Sequence, residues 1–321
     1  MRIAITGGSG FIGRRLAARL LRKAELEKLV LFDVRSLDDA VAADPRVEQI
    51  SGDIANRVDV DAAIPEGTTD VFHLGAVVSA GAEADFDLGM RVNLDGTRNV
   101  LEACRRLSKP PRVVFGSSEA VYGGELPPAI DDATPLYPQT SYGAQKACGE
   151  LLVSDYSRKG FLDGRALRFP TIVVRPEPNL AASTFASTIL REPLLGHPAL
   201  CPVREDSVMP LMSVRRLLGC IELAWEAPAQ ALGTHRSLLL PALSVSVREM
   251  IAAVGRIGGE EAAKRIAMRP DPAIQRIVDT WPRAVKAERA ERMGLHADSS
   301  IDSILESFVE DELPKMRTAE V

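Results

Sequence analysis

The stretch Arg2–Leu20, RIAITGGSGFIGRRLAARL, constrains the fold more than any other in the 321-residue chain. A short apolar run meets Gly7, Gly10 and Gly13 and passes at once into a segment with apolar residues every three or four positions, the period of a helix packed on one face. Glycine at these points allows a tight turn, close backbone approach to a pyrophosphate and close packing of helix on strand, with the helix N-terminus facing the negative charge. Plain strand-to-helix turns also use glycine, so the string gains meaning from the second apolar run, KLVLFD. That run ends at Asp33, about twenty positions past Gly13, where a carboxylate accepts hydrogen bonds from adenosine ribose hydroxyls. An acid there repels a 2′-phosphate, which favours NAD over NADP, and Arg35 just beyond is the one residue placed to soften that choice.

Apolar runs and amphipathic segments alternate through the first half. RIAIT, KLVLFD, VEQIS, DVFHLGA, RVVFGSS and GRALRFPTIV read as strands, and GRRLAARLLRK, VDVDAAI, LGMRVNLDGTRNVLEACRRL and YGAQKACGELLVSDYSRK as helices. Short links in one sequential order imply an α/β fold, a Rossmann-type doubly wound parallel sheet. After about Val174 the chain turns proline-rich and irregular (RPEPN, REPLLGHPALCPV, APAQALGTH). The expected division is a dinucleotide-binding domain over 1–174 and a smaller, mixed C-terminal substrate-binding region over 175–321. Helices around 213–227 are expected to return to the first domain. Within the second region, VREMIAAVGRI, PAIQRIVDTW and SIDSILESFVEDEL read as helices and AKRIAMR as a strand.

Composition narrows the partners. A formal net charge of -5, with no Lys/Arg block, gives no footprint for nucleic acid or an anionic membrane surface. Cys104, Cys148, Cys201 and Cys220 are widely spaced and form no ligand-spaced set with the four histidines, so free thiols are expected and a metal is not. No apolar run of about 18 residues is present and Met1 leads straight into RIAITGG, so the chain reads as cytoplasmic, with no membrane partner.

Three further stretches suit a dinucleotide. Asp53 and Ile54 in SGDI follow the third strand, where Asp53 can contact the adenine amino group or merely cap a helix. Leu74, Gly75 and Ala76 end the fourth strand with small residues that let backbone approach a ligand at the carboxyl edge of the sheet. His73 beside them reads as a packed strand residue. Asn93, inside a helix where an amide has poor propensity, implies a structural or cofactor-side duty.

Tyr142 and Lys146 in SYGAQKACGE stand four apart on one helical face. Taken alone, that spacing also describes a surface pair. After a strand ending in GSS, the same helix carries both side chains toward the carboxyl edge of the sheet. A tyrosine of pKa near 10 acts as a base at neutral pH only if its phenolate is stabilised, and a lysine ammonium one turn away, with the oxidised nicotinamide ring, does so.

The set TGGSGFIG, Asp33, GDI, FHLGA, VNLDGT, SSEAVYG and SYGAQK resembles the extended short-chain dehydrogenases/reductases, which include sugar-nucleotide epimerases and dehydratases. The resemblance covers about the first 175 positions. It implies NAD as cofactor, held by Gly7, Gly10, Phe11, Ile12, Gly13, Asp33, Asp53, Ile54, Leu74, Gly75, Ala76, Asn93, Tyr142, Lys146, Pro170 and Ile172. It further implies Tyr142 as catalytic base, Lys146 as the residue that binds the ribose and lowers the tyrosine pKa, and Ser118 as the hydroxyl that binds the reacting oxygen. Ser117 is the neighbouring alternative. Pro170, Thr171 and Ile172 would close over the nicotinamide, and a homodimer through helices near 88–107 and 141–158 is implied as well.

Family members acting on nucleotide sugars carry an asparagine in an R-x-F-N strand end and a later R-D-F-V-H-V-D segment. Here RFPT, with Thr171 at the asparagine position, and VMPLMSVRR stand in their place. The segment Val174–Gly196, with EADFDLGMRVNLDGT and the ending ESFVEDEL, is instead similar to family members that oxidise the C2 hydroxyl of a four-carbon sugar acid such as D-erythronate. A carboxylate suits a guanidinium fork, which makes Arg175 and Arg191 candidates, each equally well placed for an ion pair with Glu177 or Glu192. Ser79 is a further candidate for a substrate hydroxyl, or an ordinary loop cap. Together with Ser117, Ser118, Tyr142 and Thr171 these form the expected substrate side; nucleotide-sugar epimerisation or dehydration is the alternative reaction.

Overall fold

A computed structural model describes residues 1–177, 181 and 183–319, the last three by backbone only. Pro178, Asn179, Leu180 and Ala182 of the Val174–Gly196 segment lie outside the described residues. The chain divides into two compact units, the first made of Met1–Val121, Thr140–Arg168 and Ile221–Leu238, the second of Tyr122–Gln139, Phe169–Cys220 and Leu239–Val321. The partition is more interleaved than one cut at residue 174, because the chain leaves the first unit and re-enters it twice.

The first unit is built on a seven-stranded sheet in the order Ser237–Leu239, Asp163–Phe169, Arg112–Ser118, Asp70–His73, Arg2–Thr6, Lys28–Asp33 and Val47–Ser51. From Val47–Ser51 through Arg112–Ser118 every pairing is parallel. Winding runs outward from Arg2–Thr6 to one side and then crosses back to Asp70–His73 on the other, so strand order reverses between these two neighbours. That crevice is where open α/β sheets bind ligands. The central strands bury nearly every residue, as a sheet covered on both faces requires. Ala4, Val30, Val71, Val100, Leu101, Val113 and Phe115 are among the core.

Two readings of the sequence change. DVFHLGA pairs only over Asp70–His73, and Leu74–Ala76 leave the sheet as backbone at its carboxyl edge. GRALRFPTIV is two strands, Asp163–Phe169 in the seven-stranded sheet and Thr171–Val173 in a three-stranded one, because Pro170 has no N–H to continue a ladder.

The second unit holds the three-stranded sheet Leu243–Ser246, Val208–Ser213 and Thr171–Val173, with helices Thr184–Leu195, Val247–Gly258 and Ile301–Asp311 sharing one apolar core around Ile189, Leu211, Met250, Val254 and Ile304. The sequence treats REPLLGHP as irregular, yet residues 191–195 complete a helix. Pro193 sits in its last turn, and Gly196 ends it in the left-handed conformation at φ 92°. Helix Val247–Gly258 starts with a capping box between Ser246 and Glu249.

Candidate active site

The glycine turn forms the first wall. Gly7 has φ 70°, and a Cβ placed on it would lie 2.7 Å from the Gly75 backbone nitrogen, so loops from the two switch-point strands touch through bare backbone. A Cβ at Gly13 would overlap the Gly7 carbonyl. Gly10 caps helix Phe11–Leu20 with no side-chain hydrogen bond, which leaves the first-turn N–H groups to a ligand or solvent, with Phe11 and Ile12 half-buried there. Asp33 is half-buried and accepts from the backbone N–H of Ser9 at 3.1 Å and of Arg35 at 3.3 Å, which fixes the carboxylate beside the turn. A cradle without side chains, ended by a helix N-terminus and an oriented acid, fits a dinucleotide.

Asp53 and Asn93 sit differently from the glycine cradle. Asp53 is exposed and its carboxylate accepts from the Ala55 N–H at 2.9 Å, an Asx turn, while Asn56 caps the following helix and Ile54 is buried. Asn93 lies in a π-helical turn, Met90–Asp95, inserted between the helices Phe86–Gly89 and Gly96–Arg106. Its amide accepts from Val77 N–H at 2.8 Å and donates to the Val77 carbonyl at 3.0 Å and to Gln145 Oε1 at 2.8 Å. At 3% exposure it is a clamp on the loop after Asp70–His73. Ser79 opens the short helix Ser79–Ala84 at the end of that loop.

His73 is wholly interior. Its Nδ1 lies 2.7 Å from Thr6 Oγ1 and its Nε2 2.9 Å from Thr97 Oγ1. Burial, with the nearby Lys146 charge, pushes its pKa down to about 3, so it stays neutral as a structural bridge.

Helix Ser141–Arg158, capped by Thr140, carries Tyr142 and Lys146. Gly149 lets it lie close on the sheet, since a Cβ there would come within 2.6 Å of the Phe115 ring. Lys146 is buried. Its Nζ donates to the Gly116 carbonyl at 2.7 Å and lies 4.7 Å from the Phe115 ring centre and 5.6 Å from that of Tyr142. Burial lowers its pKa from 10.5 to about 8, against the opposing pull of Glu150. An ammonium kept from water beside a half-buried tyrosine is the arrangement that favours a phenolate.

The two serines separate by strand alternation. Ser117 is 2% exposed and donates to Glu150 Oε1 at 2.5 Å. Ser118, at the strand's carboxyl end, is half-buried and its Oγ accepts from the Ala120 N–H at 3.1 Å. Ser117 is thus turned inward, toward Glu150. Glu150 in turn pairs bidentately with Arg168, at 3.0 Å from Nε to Oε1 and 2.7 Å from Nη2 to Oε2. Neither Glu150 nor Arg168 stands out in the sequence. Other charges share both segments, Lys146 and Asp155 on the helix and Asp163 and Arg165 on the strand, so only the fold singles out this pair as buried and matched.

Pro170, Thr171 and Ile172 are buried in the second unit, where Thr171 and Ile172 pair with Leu211 and Met212. The guanidinium of Arg191, 2% exposed, binds Glu192 and the Arg175 carbonyl at 2.6 Å, so it is a structural ion pair and not an open anion site. Arg175 donates to the Ile172 carbonyl at 3.1 Å and to Ser183 Oγ at 3.0 Å. Among the described residues no His/Cys/Asp/Glu group is arranged to hold a metal, and no helix is long and apolar enough to cross a membrane.

Comparison with known proteins agrees with this geometry. The pattern of the NAD dependent epimerase/dehydratase family matches residues 3–233. Two curated relatives, each named D-erythronate dehydrogenase, come from Cupriavidus necator (48% identical, 97% of this chain and 98% of the relative) and Haemophilus influenzae (41%, 97% and 99%). Among solved structures, one described as a nucleoside-diphosphate-sugar epimerase from Agrobacterium tumefaciens superposes with TM-score 0.92 at 41% identity, over 98% of this chain and 95% of that one. NAD is the cofactor, and the chain belongs to the NAD dependent epimerase/dehydratase family.

Proposed function

We propose that this protein oxidises the C2 hydroxyl of a small sugar acid such as D-erythronate to the 2-keto acid, with NAD as acceptor, through Ser118, Tyr142 and Lys146. The observation that carries the substrate class is likeness over nearly the whole chain to two D-erythronate dehydrogenases, a length that includes Arg168–Thr171 and Val208–Arg216, where the nucleotide-sugar signatures are missing. Bound NAD supplies the hydride acceptor. Ser118 Oγ orients the substrate hydroxyl, and Tyr142 Oη takes its proton. Lys146, held on the Gly116 carbonyl, keeps a positive charge near the tyrosine ring, which lowers the free energy of the phenolate. Arg191 is committed to Glu192 and Arg175 to the Ile172 carbonyl and Ser183 Oγ, and both stay candidates for the substrate carboxylate.

The Agrobacterium structure keeps a second reading in view, epimerisation of a nucleotide sugar. One assay separates them. Purified protein with NAD and a panel of aldonic acids should accumulate NADH with a four-carbon acid, monitored by absorbance. No NADH with any acid, together with interconversion of a UDP-sugar, overturns the dehydrogenase reading.

A homodimer through the helices near 88–107 and 141–158 is part of the same proposal, and rests on the family resemblance.

A further inference from the structure

Helix Ser141–Arg158 and strand Arg112–Ser118 are tied at consecutive strand residues. The Gly116 carbonyl accepts from Lys146 Nζ and the Ser117 hydroxyl donates to Glu150, immediately before Ser118. Glu150 stands one helical turn beyond Lys146 and two beyond Tyr142. It is 2% exposed, and its carboxylate is filled by Ser117 and by both ends of the Arg168 fork.

We infer that Glu150 and Arg168 are positioning residues for the reaction: as one buried ion pair they hold Lys146 in its charged form and keep Ser118 in register with it. This rests on the Ser118–Tyr142–Lys146 reading of the site. A lysine taken out of water tends to give up its proton, and the anion that opposes this is Glu150, one helical turn along. That anion is itself too costly to bury alone, which is the part Arg168 plays. The other titratable groups around Lys146 do not substitute for it. Tyr142 on the same helix is the group being tuned, and His73 on the strand Asp70–His73 is neutral. Glu83 accepts the Ser141 N–H at the far end of the helix, and Glu119 lies in the turn after Ser118.

The arrangement makes a sign-specific prediction. Glu150→Gln removes the anion and leaves the Arg168 cation unneutralised, so Lys146 loses its proton at lower pH. The alkaline limb of kcat should fall by about one pH unit. Adding Arg168→Met removes the stray cation and should bring the limb part of the way back, whereas damage to folding would only deepen with the second substitution. The Nζ titration of Lys146, followed by ¹⁵N NMR in the protein without substrate, should move in parallel. A folded Glu150→Gln variant whose alkaline limb and Lys146 titration match wild type overturns the inference. Should that variant not fold, the double variant is compared with wild type directly: a lowered Lys146 titration supports the inference, an unmoved one overturns it. Tyr142→Phe distinguishes the two levels. Retained turnover there defeats the site reading itself, while abolished turnover alongside an unmoved Lys146 in Glu150→Gln defeats only this inference.

Discussion

Ser117 and Ser118 are adjacent on one strand and face opposite fates: the Ser117 hydroxyl donates inward to Glu150 at 2.5 Å, while Ser118 Oγ accepts the Ala120 N–H at the strand's open end. Their alanine variants should therefore fail differently. Ser118→Ala should lower kcat by about 10²- to 10⁴-fold with an unchanged melting temperature. Ser117→Ala withdraws one donor from a buried carboxylate and should cost about 1–2 kcal/mol of stability, with a much smaller effect on kcat. Steady-state kinetics beside thermal melts of both variants decides it; equal losses of activity would refute the assignment.

Lys146 should be a site where activity and stability oppose each other. Its pKa is about 8 in the folded chain and an ordinary 10.5 when unfolded, so between those values the unfolded chain binds more protons. Stability thus rises with pH from about 8 to 10.5, and the full cost of burying the charge is present below 8. Lys146→Met removes that cost, about 3 kcal/mol, but strands the Gly116 carbonyl, so a net gain of about 1 kcal/mol at pH 7 is expected. Turnover should be lost. A denaturant midpoint below wild type at pH 7 would contradict this.

His73 should mark the acid side. With a folded pKa of about 3 against an ordinary 6.5, it is proton-free in the native chain and protonated in the unfolded one between those values. Stability therefore falls as pH drops from 6.5 toward 3, by about 1.4 kcal/mol per unit from this residue, and carries no penalty at pH 7. Urea titrations at pH 7, 5.5 and 4.5 should show His73→Gln losing less stability on acidification than wild type. Identical slopes would exclude His73 as the acid-labile point.

The parts of the site that were legible in the sequence are those dictated by backbone and local spacing. The glycines must leave room, Asp33 must end its strand, and a tyrosine four before a lysine must share its face, whatever the rest of the chain does. Long-range choices were not legible. Nothing local tells whether Ser117 or Ser118 looks outward, since that depends on Glu150 thirty-three positions away. The pairing of Arg191 with Glu192 needed its burial to be known, and Asn93 needed the π-helical turn that aims it at Val77. Pro170 was visible, yet only the sheet order shows that it ends one strand and begins another elsewhere.

The contact between Gly7 and Gly75 couples two loops through what neither possesses. A methyl on Gly7 would come within 2.7 Å of the Gly75 nitrogen and one on Gly75 within 3.2 Å of the Gly7 nitrogen, so the Gly7 side is the one held to glycine. If the seam holds the cofactor as proposed, recognition and reversal of the strand order are there a single geometric condition. On that proposal, a chain that kept the topology but filled the gap would keep its sheet and lose its ligand.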